Sequence, residues 1–345
     1  MLRRWRGSTI RPLELATRIL RLFVYSTGFG LNPPRGTEDC ELRLIGSYTA
    51  LATPFDDGSD LDVDAWVRMV EAQRIGGSAG IVVAGSTGEG QALEESEFTK
   101  LLTLALRHAG EMHVIAGTGT YSTAKTLRQT QLARRLGAHA ALVVTPPYVR
   151  PTQEGLFGHY AQLADQAGLP IILYNVPTRT GCDLTPATVA RLAPFETIIG
   201  IKEACPEADR MAALLEFASD GFSVLSGDDG SAARAMLSGA QGVISVASNI
   251  VPASFRRLCD HALAGRADLV ASRMAGLMPL VAFLSVESNP IPLKALLATK
   301  GLGSAAPRLP LTRMSEEYRS SLEALLPALV ALEFSAAAEL AALSV

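Results

Sequence analysis

The stretch Thr197–Ala204 reads T-I-I-G-I-K-E-A, an apolar run that closes on Lys202. Its apolar residues are consecutive rather than alternating, so a strand formed here is covered on both faces, as strands of a parallel sheet are. The lysine at its end is the open question. A lysine closing a strand ordinarily lays its stem on apolar surface and leaves its charge in water, so Lys202 alone decides nothing.

Seven more runs of the same kind surround it: Tyr48–Thr53, Gly80–Ala84, Met112–Gly117, Ala140–Thr145, Pro170–Asn175, Phe222–Ser226 and Gly242–Val246. With Ile198–Lys202 they make eight candidate strands. Longer segments of helical period lie between them, including Asp62–Ile75, Glu94–His108, Ser122–Leu136, Gln153–Gln166 and Gly230–Ser238, several opening on a capping Ser or Asp. Eight strand–helix units over residues 45–265 predict a (β/α)8 TIM barrel. An open doubly wound sheet is the alternative, but the first turn lacks the G-x-G-x-x-G fingerprint. Residues 266–345 carry helical period without strand signal and read as a C-terminal helical appendage, packed on the barrel or on a neighbouring subunit.

The chain has 345 residues, 48% apolar and 19% charged, which suits a large globular core rather than a disordered chain. A net charge of −3 gives no pull toward nucleic acid or anionic membrane. No run approaches the roughly twenty uninterrupted apolar residues of a membrane span. Cys40, Cys182, Cys205 and Cys259 form no CxxC pair, which fits reduced thiols and a cytoplasmic location. Residues 1–44 are rich in arginine, with Glu14 the sole acid before Glu38. They read as an N-terminal extension, disordered or arising from a misassigned start, with an organellar transit peptide as the alternative.

In such a barrel the chemistry sits at the C-terminal strand ends. Those ends offer Gly85–Glu89, Thr145–Tyr148, Tyr174-Asn175 followed by Val176–Gly181, then Lys202, Gly227–Asp229 and Ile244. His108, His113, His139, His159 and His261 show no ligand spacing, and no Walker loop or G-x-S-x-G elbow appears. The expectation is therefore no metal and no cofactor. A lysine facing an apolar barrel beside tyrosines, hydroxyls and an arginine suits Schiff-base chemistry. Its deprotonated amine attacks a carbonyl, and the iminium formed accepts electrons from a neighbouring C–H. Thr87 and the backbone N–H groups of its turn are candidates to hold a substrate carboxylate. Read singly, Tyr148 is a packing tyrosine, and Asp228 and Asp229 are a turn and a helix cap.

The motifs G-S-T-G-E (85–89), T-P-P-Y-V-R-P (145–151), Y-N-V-P-T-R-T-G (174–181), G-I-K-E-A (200–204), S-G-D-D (226–229), G-V-I-S-V (242–246) and S-N-P-I-P (288–292) together resemble the dihydrodipicolinate synthase family. That family lies among the pyruvate-dependent class I aldolases that include N-acetylneuraminate lyase, and the resemblance runs from about Ile45 to Val330. It implies a lyase of lysine and diaminopimelate biosynthesis that condenses pyruvate with L-aspartate 4-semialdehyde to 4-hydroxy-tetrahydrodipicolinate. Lys202 would form the Schiff base, Tyr174 would exchange protons over it, and Ser86 would link Tyr174 to Tyr148. Tyr148 would come from the partner across the tight interface of a homodimer or homotetramer. Thr87 would hold the pyruvate carboxylate and Arg179 that of the semialdehyde, with Gly227 and Ile244 lining the pocket through backbone groups. Ser86 departs from the usual threonine, which leaves its rotamer freer. The alternatives are another pyruvate-dependent aldolase or dehydratase acting on a sugar acid or keto acid, and a non-catalytic barrel that binds a keto acid.

Some members of the family are inhibited by lysine bound at the tight dimer interface. The resemblance aligns their ligand-binding glutamate and asparagine with Lys125 and Tyr121, two histidines with Glu95 and Phe98, and a tyrosine with Pro147. An ammonium then faces a cationic ligand, and like charges at an interface repel by several kcal/mol. Lysine at about millimolar concentration is expected to inhibit weakly or not at all for the same reason. A coupled assay that finds partial inhibition below that range would refute this.

Overall fold

The computed structural model describes residues 42–343. Eight strands alternate with helices in chain order. They are β1 (Gly46–Ala50), α1 (Val63–Ile75), β2 (Gly80–Val83), α2 (Glu95–His108), β3 (His113–Gly117), α3 (Thr123–Leu136), β4 (Ala140–Val144) and α4 (Gln153–Gln166). There follow β5 (Ile171–Asn175), the single turn α5 (Pro177–Thr180), α6 (Pro186–Leu192), β6 (Ile198–Glu203), α7 (Ala208–Leu215), β7 (Ser223–Ser226), α8 (Ala232–Leu237), β8 (Gly242–Ser245) and α9 (Pro252–Leu263). Each strand pairs in parallel with the next, and β8 returns to β1 with Gly46 opposite Gly242, closing the barrel. The TIM barrel expected from the strand count is the fold found.

Local chemistry fixes the helix starts. Asp62 accepts a hydrogen bond from Ala65 N, and Thr152 from Gly155 N, each satisfying a first-turn donor that has no partner inside its helix. The barrel's two faces explain the missing alternation along its strands. Tyr48, Val82, Ile115, Leu142, Ile172, Leu225 and Ile244 fill the interior, while Ile81, Val83, Val114, Val143 and Leu173 pack outward beneath the helices.

One boundary differs from the sequence reading. Leu44 is fully buried in the interior layer with Tyr48, so the folded unit begins before residue 45. The rest of the N-terminal extension, residues 1–41, lies outside the described residues, as does Cys40. The appendage comprises α10 (Ala267–Phe283), α11 (Ile291–Thr299) and α12 (Arg319–Leu343). The segment Glu316–Leu343 is long and apolar enough to cross a membrane by length and composition, with a mean hydropathy of 1.6 in its best window. A test for uninterrupted apolar runs passes over it because Glu323, Glu333 and Glu339 break the run. Two of these carboxylates dock the helix on protein. Glu339 accepts from Arg257 Nε at 2.9 Å and Arg273 Nη2 at 2.7 Å. Glu333 accepts from Ala253 N and Ser254 N in the first turn of α9, where donors would otherwise lack partners. Burial pushes the Glu333 carboxyl above its ordinary range, against the pull of these bonds.

Glu333→Ala should therefore lower unfolding stability by about 1–3 kcal/mol, the scale of stranding buried hydrogen-bond donors. The midpoint of chemical unfolding measures this, and an unshifted midpoint would show that the cap contributes nothing.

Candidate active site

Strands β5 and β6 run in register, with Tyr174 opposite Lys202 and Asn175 opposite Glu203. Side chains alternate along a strand, so the first pair points into the barrel and the second points out. Lys202 is 4% exposed, and its Nζ sits 4.5 Å from the centroid of the Tyr174 ring. Room for the lysine stem comes from Gly227 at the end of β7. A Cβ there would lie 2.8 Å from Lys202 Cε and 2.9 Å from Cγ. No other residue leaves that path open.

Above Lys202 opens a cavity of about 190 Å³ at the C-terminal strand ends. Its walls include Ser86, Thr87, Tyr174, Arg179, Lys202 and Gly227. Six of the residues expected from the sequence thus meet in one place. The Thr87 hydroxyl is buried and accepts from Asn289 Nδ2 at 2.9 Å. Ser86 lies exposed at the rim. Arg179, on the turn α5, is exposed and donates to the Asn289 carbonyl at 3.3 Å.

Two expected residues are not among the side chains around the cavity. The Ile244 side chain belongs to the interior layer with Tyr48 and Val82, below the cavity walls. Strand β8 ends at Ser245, and Val246 in the following turn reaches the cavity instead. Tyr148 is 91% exposed and lies outside the cavity lining. Its backbone takes φ 73°, and its N–H donates to Thr180 O, so the ring projects from the surface. Asp228 forms the turn as read, but Asp229 does not cap α8, whose start at Ser231 has no side-chain cap; the Asp229 carboxylate reaches the turn after β8 instead. Asp228 accepts from Ser231 N and Oγ, while Asp229 binds Val246 N and Ala247 N. Among the described residues, no cluster of three or more His, Cys, Asp or Glu side chains could hold a metal.

Sequence reasoning missed the contributions of the appendage. Val281, Leu284 and Ser285 roof the cavity from α10 and its end, and Asn289 reaches Thr87 from far along the chain. The S-N-P-I-P motif was the available signal for Asn289. Also unread was Lys294 on α11, whose Nζ lies 2.5 Å from Glu89 Oε1 and 4.0 Å from the centre of the Phe55 ring. Glu89 closes the turn that presents Thr87, and it also accepts from Arg308 N at 2.8 Å. At the start of α3, Lys125 Nζ donates to the Tyr121 hydroxyl at 2.9 Å, so the two residues named for weak lysine inhibition pair with each other.

The family model for the dihydrodipicolinate synthetase family matches residues 43–329. The chain belongs to that family. A 4-hydroxy-tetrahydrodipicolinate synthase of Xanthomonas axonopodis pv. citri is 54% identical over 302 residues, covering 87% of this chain and 100% of the relative. Among solved structures of the family, the chloride-inhibited dihydrodipicolinate synthase of Acinetobacter baumannii complexed with pyruvate superposes with a TM-score of 0.81. It is 40% identical and covers 83% of this chain and 99% of its own. A monomeric dihydrodipicolinate synthase variant gives a TM-score of 0.80 at 39% identity, covering 83% of this chain and 96% of its own.

Lys294 gives the site a measurable pH dependence. Burial pushes its ammonium down to about 8 from the ordinary 10.5, and the charge of Glu89 opposes that shift only in part. The folded protein thus releases this proton near pH 8, while the unfolded chain keeps it to about 10.5. The penalty for burying the charge is fully present below pH 8 and shrinks as the pH rises toward 10.5. The parent protein should gain stability across that window relative to the double substitution Glu89→Gln/Lys294→Met, as read by urea unfolding at stepped pH. A flat or falling difference would show that Lys294 keeps its proton.

Proposed function

We propose that this chain is a lyase that condenses pyruvate with L-aspartate 4-semialdehyde to 4-hydroxy-tetrahydrodipicolinate, with Lys202 as the Schiff-base lysine. The observation that carries the reading is a buried lysine beside a tyrosine ring in a cavity, its stem threaded past a glycine. The relative of the same name at 54% identity, matched over its whole length, supports the substrates.

In this reading Lys202 Nζ attacks the ketone carbon of pyruvate, and loss of water leaves an iminium. A proton then leaves the adjacent methyl group to give an enamine, whose carbon adds to the aldehyde of the second substrate. The amino group of that substrate displaces Lys202 and closes the ring, which returns the free amine. Tyr174 stands over Lys202, where proton transfers during these steps are needed. Thr87, with its hydroxyl fixed by Asn289, and the turn N–H groups take the pyruvate carboxylate. The Arg179 fork suits the carboxylate of the semialdehyde.

Tyr148 and Ser86 complete the proton path in a homodimer or homotetramer, each cavity receiving the tyrosine of a partner subunit. The projection of Tyr148 away from its own cavity supports this arrangement. A cytoplasmic location is proposed with it, since Cys182, Cys205 and Cys259 are free thiols.

Pyruvate with borohydride should add one pyruvate-derived mass to the peptide containing Lys202. Lys202→Ala should stay folded and lose turnover by about 10³-fold or more, the scale of removing the nucleophile that carries the covalent intermediate. An adduct on another lysine, or none in active protein, would refute the assignment.

A further inference from the structure

The outward pair in the shared register of β5 and β6, Asn175 and Glu203, sits one residue beyond Tyr174 and Lys202. Glu203 is 0% exposed, and a buried carboxylate requires partners. It accepts from Asn175 Nδ2 at 3.1 Å, Cys205 N at 2.8 Å and Arg210 Nε at 3.1 Å. Arg210 belongs to α7, behind β6.

The other edge of the Arg210 guanidinium faces a different element. Its Nη1 donates to Asp183 Oδ2 at 2.9 Å, and its Nη2 to Asp183 Oδ1 and to Leu184 O, both at 2.6 Å. Asn175 repeats the connection, donating to Asp183 Oδ1 at 2.8 Å and accepting from Leu184 N at 2.9 Å. Asp183 and Leu184 end the loop that follows β5, and Arg179 sits on the turn at the start of that loop. The planar fork of an arginine can serve two carboxylates at once, where an ammonium is a single point charge.

Arg179 needs such support. Its side chain is exposed, and its one hydrogen bond among the described residues is the 3.3 Å contact with Asn289 O. The backbone of the loop therefore sets where its guanidinium stands. We propose that Arg210 is a positioning residue that acts through Asp183, holding the Arg179 loop against the strand that carries Lys202. It fixes the distance between the Schiff-base centre and the site of the second carboxylate. The proposal rests on the roles given above to Lys202 and Arg179.

A double-mutant cycle on the full chain tests it, with borohydride trapping of the pyruvate adduct and the KM for aspartate semialdehyde as separate readouts. Asp183→Ala is the main variant, because it leaves Glu203 paired with Arg210 and the strand pair intact. Its KM for the semialdehyde should rise about tenfold, part of the roughly hundredfold that a 1 Å misplacement can cost. The yield of pyruvate adduct on Lys202 should stay within about twofold of the parent, because nothing in the lysine pocket changes. Arg210→Lys keeps a cation beside Glu203 but cannot span both carboxylates, so it should show the same split. In an Arg179→Ala background, Asp183→Ala should add little, since residues that act through one another are not additive.

Equal loss of adduct formation and semialdehyde binding, or additive losses in the cycle, would overturn the proposal and leave the network a purely structural one. A parent protein that forms no adduct on Lys202, or an Arg179→Ala variant with unchanged KM, would overturn the reading of the site itself and the proposal with it. Thermal midpoints recorded for every variant separate misfolding from misplacement.

Discussion

The period of two along a β-strand, imposed on a closed barrel, governs this molecule. The residues of β5 and β6 face either the barrel interior or the helical shell, and after an irregularity at Ile171/Ile172 the two strands keep one register to their C-terminal ends. Lys202 and Tyr174 are therefore paired inside beside the cavity, while Asn175 and Glu203 are paired outside in a polar network. The interior pair is the one proposed for chemistry, and the exterior pair is the one proposed to anchor a loop. Neither could be moved by one residue without exchanging the faces of both.

The cost of an ammonium inside such a barrel is met in two different ways. Lys202 has an open cavity above it and a glycine beside it, so its amine faces space that a substrate can enter. Lys294 has a carboxylate at 2.5 Å and an aromatic face, which offset only part of the cost of its burial. Exposure is nearly the same for both. The two lysines differ in what surrounds the nitrogen: open cavity for Lys202, protein partners for Lys294.

Much of this was legible in the chain, because consecutive apolar residues mark strands covered on both faces and capping residues mark helix starts. Asp62 and Thr152 stand where their side chains meet the first-turn amides. The site was legible wherever a residue sits on a strand end or in the turn directly after it. Val246 was not read because it follows the end of β8 at Ser245, in the turn rather than on the strand, yet it lines the cavity. Asn289 and Lys294 carried no local sign of their partners. Thr87 is 202 positions from Asn289, and contacts at that range leave no periodicity to read. The network around Glu203 was hidden for a related reason: a glutamate after a strand-end lysine looks like any polar strand end until the helix behind it is in place.

The docking of α12 bears on where the protein can be cut. The family match ends at residue 329, and a chain trimmed to that limit would keep Leu322 and Leu329 but lose Glu333 and Glu339. Arg257 and Arg273 would then face each other without the carboxylate they share, and the first amides of α9 would open to solvent. Helix α9 packs directly on β1. The seam where the barrel closes would thus feel a change made at the far end of the chain, and the span of the family match is narrower than the folding unit.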